Sequence, residues 1–104
     1  MHDFETALAL HRAGRWGGAR AAYESLLGAR PETAPAALQL HYGMVRHRLG
    51  DAAVALEWIA RAAALAPQWP LARLNHARLL FASQRIEQAR GEFEAAFALA
   101  PGDP

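Results

Sequence analysis

Residues 43–67 read GMVRHRLGDAAVALEWIARAAALAP, and residues 77–101 read ARLLFASQRIEQARGEFEAAFALAP. Laid over one another, the two stretches share a frame. A small residue (Gly43, Ala77) is followed twelve positions on by an alanine (Ala55, Ala89). A bulky apolar residue (Ile59, Phe93) comes four later, and a proline (Pro67, Pro101) eight after that. A third copy runs through Ala7, Ala19, Tyr23 and Pro31. The prolines are separated by 36 and then 34 residues. A period of this length marks a stack of equivalent units rather than one closed core. Stacked units build extended surfaces, so the class of function is narrowed before any single side chain is weighed.

Composition agrees. The chain has 104 residues, 53% of them hydrophobic, and alanine alone makes up a quarter. Alanine and leucine favour helix and β-branched residues are scarce, so an all-α fold is expected. The formal net charge is +1, and every basic residue other than histidine is arginine, a bias that a GC-rich genome would also produce. With no cysteine, disulfides and thiolate metal sites are excluded. No apolar run approaches the roughly 20 residues of a membrane span. Met1-His2-Asp3-Phe4-Glu5 has no basic-then-apolar leader pattern. The expectation is a cytoplasmic protein without cofactor or membrane partner.

Six helices fit the chain. The first pair is expected over about Asp3–Arg12 and Trp16–Ala29. Thr33 reads as an N-cap with Pro35 in the first turn of a helix running to about Leu49. Gly50 ends that helix and Asp51 caps the next, which continues to Ala66. Pro67 and Pro70 bracket a break around Trp69. The third pair follows over about Leu71–Ser83 and Arg85–Leu99. Connections within pairs are short, so each pair is antiparallel. The twelve-residue spacing then sets a small residue of one helix against an alanine of its partner, which lets the two axes approach closely. Gly14 and Gly50 stand where the pair turns require a left-handed residue, and Gln84 stands there in the third.

On these residues the chain resembles the tetratricopeptide repeats, helix–turn–helix units of 34 residues. The second-helix signature is present three times. In the first helices, Asp3, Gln39 and Arg73 replace the usual tryptophan, Thr6, Tyr42 and His76 the usual leucine, and Leu10, Arg46 and Leu80 the usual tyrosine. The resemblance covers nearly the whole chain. It implies a right-handed α-α superhelix of three repeats, over about 1–33, 36–69 and 70–103 of a single 1–104 array.

The resemblance also implies a concave groove lined by the first helices, where partners bind. By register the first unit would contribute Phe4, Glu5, Leu8, His11 and Arg12. The second would add Leu40, His41, Met44, His47 and Arg48, and the third Leu71, Leu74, Asn75, Arg78 and Phe81. This mixed apolar and cationic surface would suit a peptide with apolar anchors and a carboxylate, which the planar arginine fork binds through two hydrogen bonds. The competing reading leaves the arginines solvated and the apolar residues packed on neighbouring helices. One subfamily grips C-terminal carboxylates of chaperone tails with a lysine and an asparagine on the first unit. Phe4 and Leu8 stand at those places, so that clamp is not expected.

Other chemistries find little support. His41 and His47 lie on different helical faces and no His-Glu-x-x-His occurs, so no metal site is expected. His76 reads as a hydrogen-bonded inner residue. Hydroxyl nucleophile candidates are few and carboxylates such as Glu87, Glu92 and Glu94 read as solvated, so no enzyme is expected. Eleven arginines against ten acids make no strong field for nucleic acid. Trp58 reads as convex packing or as an outward contact. The end of the stack carries the alternative function. Phe93, Phe97 and Leu99 would be partly uncovered there, inviting self-association. Alternatively the chain would be the front scaffold of a longer protein, as similar arrays are in bacterial glycosyltransferase-like proteins.

Overall fold

A computed structural model describes residues 3–99. Met1 and His2, and residues 100–104 with Pro101, lie outside the described residues. Six helices follow one another: α1 (Phe4–Arg12), α2 (Trp16–Leu27), α3 (Ala36–Arg48), α4 (Ala52–Leu65), α5 (Pro70–Ala82) and α6 (Ile86–Leu99). A short 3-10 turn, Pro31–Thr33, precedes α3. The main contacts are α1 with α2, α3 with α4 and α5 with α6, and the pairs are joined through α2–α3 and α4–α5. The result is an elongated stack of 40 × 27 × 26 Å.

The recurring small residues are where the helices cross. Ala7, Ala19, Ala55 and Ala77 are fully buried and Ala89 nearly so. At Gly43 the approach is tightest. A Cβ there would lie 2.7 Å from Ile59 Cγ1, 3.2 Å from Trp58 Cβ and 3.3 Å from the Ala55 carbonyl oxygen. The bulky residues of the frame fill the space beside the crossings: Tyr23 is wholly buried and Ile59 nearly so.

The three pair turns have one geometry. The amides of Arg15, Asp51 and Arg85 each donate 2.9 Å to the carbonyls of Leu10, Arg46 and Leu80, five residues back. The amides of Gly14, Gly50 and Gln84 donate 3.0 Å to His11, His47 and Phe81. This double closure satisfies helix-end carbonyls and requires a left-handed residue between. Gly14 and Gly50 have φ of +75° and +94°, and Gln84 is forced to +66°.

Three local expectations need correction. Thr33 does not cap α3. Its hydroxyl donates to the Arg30 carbonyl at 2.9 Å within the 3-10 turn, and Pro35, with an extended ψ of 149°, stands at the N-cap position. Asp51 occupies the N-cap position of α4 without a capping bond, because Arg46 takes its carboxylate at 2.8 Å. Glu92 is not solvated. It accepts from Arg73 at 2.7 Å and pairs with His76 Nδ1 at 2.8 Å, holding α6 to α5. These bonds also account for a histidine at an inner position of α5.

Polar substitutions elsewhere in the first helices are absorbed similarly. Gln39 is fully buried, and its Nε2 donates to the Ala34 carbonyl at 2.8 Å, tying the 3-10 turn to α3. Arg46 donates to the Tyr42 hydroxyl at 2.6 Å, and Tyr42 donates to Glu24 at 2.7 Å. That chain of bonds runs from α2 through α3 to Asp51. Trp58 packs edge-on to Tyr42, with ring centroids 5.2 Å apart, and the Arg61 guanidinium lies over its ring.

Candidate functional site

α3 and α5, the first helices of the second and third pairs, carry a recess of about 560 Å³ between them. Met44, His47 and Arg48 from α3 line it together with Asn75 and Arg78 from α5. All five are among the residues expected in the groove. Leu79 and the α4 residue Ile59, both nearly buried, complete the lining. Helical spacing explains the set, since positions three and four apart share a face. Asn75 Nδ2 donates to the Leu71 carbonyl at 2.9 Å, which fixes the amide. The exposed guanidinium groups of Arg48 and Arg78 stand at a recess of mixed polar and apolar lining.

Arg48 links this recess to an aromatic cluster at the junction of the first two pairs. Its guanidinium lies 5.3 Å from the Trp16 ring centroid, a cation–π arrangement. Trp16 meets His11 edge-on, and His11 meets His41 edge-on with centroids 5.6 Å apart. His41 stacks on Tyr23, and Phe4 packs against both. His11 Nδ1 and the Tyr23 hydroxyl are hydrogen-bonded at 3.0 Å.

Both imidazoles are biased toward neutrality. Burial lowers the His11 pKa, helped by the positive charges of Arg48 and Arg12. Burial pushes His41 down to about 4, with His11 and Arg12 adding to the shift. The Tyr23 phenol is raised to about 12 by burial, against the pull of Arg12. His41 Nδ1 is buried with no hydrogen-bond partner. The two imidazoles thus lie within reach of the positive charges of Arg12 and Arg48 without sharing their charge.

The remaining expected residues divide. Leu8 and Leu74 are half-buried, and Arg12 is exposed. Leu40 is corrected: it is fully buried in the core with Ala55 and Ile59, and cannot meet a partner. Phe81 is 59% exposed, but it lines a different groove with Ile86, Phe93 and Phe97 at the far end of the stack. Phe97 is 68% exposed, Leu99 lies at the margin of exposure, and Phe93 is half-buried. Trp16 was not among the expected groove residues because it belongs to a second helix, and Tyr23, wholly buried, backs the cluster from within the core. The signal that could have found Trp16 is its place directly after the first pair turn, beside the ends of α1 and α3.

A larger recess of about 860 Å³ involves α4, α5 and α6. Its lining is mixed: small and apolar residues such as Ala52, Leu56, Ala60 and Gly91 stand beside Glu57, Arg85 and Gln88, and its His76 and Glu92 are already bonded to each other. Among the described residues no group of three or more histidine or acidic side chains could hold a metal ion. No described helix is long and apolar enough to cross a membrane.

Three helix pairs, three identical turns and small-residue crossings at the repeat spacing form one architecture. The chain has the tetratricopeptide-repeat fold. Among solved structures, this array is similar to the first tetratricopeptide domain of Spaghetti (RPAP3) bound to the HSP90 peptide SRMEEVD, with a TM-score of 0.83 and 24% identity over 95% of this chain and 77% of that one. It is similar to the Yersinia enterocolitica type III secretion chaperone SycD in complex with a peptide of the translocator YopD, with a TM-score of 0.82 and 17% identity over 96% of this chain and 75% of that one. PcrH in complex with the chaperone binding region of PopD gives a TM-score of 0.82 and 23% identity, over 97% and 74%. No family model matches the sequence, and no curated protein does. At these identities the tetratricopeptide likeness is one of fold.

Proposed function

We propose that this chain is a non-catalytic protein-interaction module that holds a peptide segment of a partner along its concave side. The observation that carries the reading is the recess between α3 and α5, where Met44, His47, Arg48, Asn75 and Arg78 converge. The fold supports it, because solved arrays of the same architecture are described in complex with peptides. Met44 offers apolar anchoring, and a thioether side chain adapts to varied partners. Arg48 and Arg78 offer forks for a carboxylate, so the partner segment is apolar with acidic character. The setting proposed is the cytoplasm, with no cofactor, metal or nucleic acid required.

The test is affinity capture from a lysate of the source cell, with wild type beside the Arg48→Glu/Arg78→Glu double variant. Both arginines are exposed, so circular dichroism should show the variant folded. A protein retained by wild type and lost by the folded variant is the expected result, and a peptide from that protein should bind purified wild type directly. Equal recovery by both would remove the groove as the working surface.

A further inference from the structure

The outer face of α6 repeats that of α2. Moving 70 positions along the chain carries Tyr23, Glu24 and Leu27 onto Phe93, Glu94 and Phe97, and Arg20 onto Arg90. On α2 this face is covered by α3. Tyr23 and Leu27 are buried beneath Leu38, Tyr42 and Val45. Glu24, held by Arg20 at 3.0 Å, also accepts from the Tyr42 hydroxyl at 2.7 Å and lies 3.9 Å from Arg46 Nη1. On α6 the same apolar and acidic positions have no such cover among the described residues. Phe97 is 68% exposed where Leu27 is 8% exposed. Phe81, Ile86, Phe93 and Phe97 line an open apolar groove of about 280 Å³, with Arg90 and Glu94 at its edge. The middle unit has Ala60 at the place of Glu24 and Glu94, so α5 is seated without an acidic acceptor there.

We propose that the α6 face is a second docking site, taking an amphipathic helix of another protein. That helix places apolar side chains at the spacing of Leu38, Tyr42 and Val45, and an arginine that meets Glu94 as Arg46 meets Glu24. The α2–α3 contact is the template, because it shows what this arrangement of side chains binds within the same molecule. A second copy does not supply such a helix. The element of this chain that carries the pattern is α3, and its Leu38, Tyr42 and Val45 are already buried in their own stack. The site is separate from the groove between α3 and α5.

The template also provides the probe. A fluorescently labelled synthetic peptide of residues 35–49, PAALQLHYGMVRHRL, is titrated with the full chain and followed by anisotropy. Saturable binding is expected for wild type. Phe97→Glu, at an exposed position, should abolish it. Glu94→Arg should weaken it about tenfold, the size of one lost charge-assisted contact. A peptide carrying Arg46→Glu should regain affinity for the Glu94→Arg chain and lose it for wild type. Failure of the peptide to bind, binding that ignores position 94, or binding that survives Phe97→Glu would overturn the proposal. So would sedimentation showing that the chain dimerises and that Phe97→Glu dissolves the dimer, because the occupant would then be a second copy.

Discussion

At the scale of single residues, His41 is the most constrained titratable group. It faces Phe4, His11 and Arg12 from α1 and Tyr23 from α2, and its Nδ1 has no partner. Its pKa falls from the ordinary 6.5 to about 4 on folding, first through burial and then through His11 and Arg12. Between those values the unfolded chain binds a proton that the native chain does not, so stability rises with pH across the window. The contribution is fully present above about pH 6.5 and is lost as pH falls toward 4. His11, shifted in the same direction, adds to it. Part of the His41 ring is solvent-screened, which reduces the full effect of the shift to about 1–2 kcal/mol at pH 5. Urea midpoints at pH 7.5 and pH 5.0 measure this above the range where carboxylates dominate. His41→Phe keeps the ring packing and removes the titration, so its midpoint should change less between the two pH values. An unchanged pH dependence in that variant would place the titrating group elsewhere.

At the scale of helices, the Gly43 crossing is the tightest joint. Ala7 and Ala77 hold the equivalent positions, so the repeat pattern alone suggests that alanine would be accepted at 43 and would gain about 1 kcal/mol of helix propensity. The geometry argues the opposite. The added Cβ meets Ile59 at 2.7 Å and the Ala55 carbonyl at 3.3 Å, and Ile59 is itself packed in the core. Overpacking of this kind costs about 1–3 kcal/mol, so Gly43→Ala should lower the urea midpoint; a raised midpoint would mean that α3 and α4 separate easily. Here the sequence was readable, because a small residue twelve positions before an alanine has one geometric use in a helix pair. The groove register was less readable. A single helical face put Leu40 toward the partner, but α3 is packed between α2 and its own partner α4, and Leu38, Gln39, Leu40, Tyr42, Gly43 and Val45 are all buried. A helix enclosed on that many sides leaves a narrow free stripe, and periodicity cannot place its edges. Glu92 was misjudged for a related reason. Its partners Arg73 and His76 are 19 and 16 residues away, and only the α5–α6 crossing brings them to it.

At the scale of the whole molecule, the stack behaves as a row of units whose stability comes from each unit and its neighbours. α3 and α4 have packed pairs on both sides. Among the described residues α6 has one on a single side, and its buried residues are Ala89 and Ala96. Phe97, at the position where Leu27 is covered in the first unit, forgoes most of the roughly 1.5–3 kcal/mol that burial of a large apolar side chain contributes. Local opening should therefore be graded along the chain, since sparse apolar contact lowers the free energy of opening. Native-state hydrogen exchange is expected to show the slowest amides in α3 and α4, with α6 amides exchanging at least about tenfold faster, as a deficit of 1.4 kcal/mol implies. A ligand in the α3–α5 recess should slow exchange in those helices and leave α6 little changed, whereas a helix seated on Phe93 and Phe97 should slow α6 most. Equal protection in all six helices would mean that the stack opens as one cooperative body, and the uncovered end would then carry no local weakness for a partner to relieve.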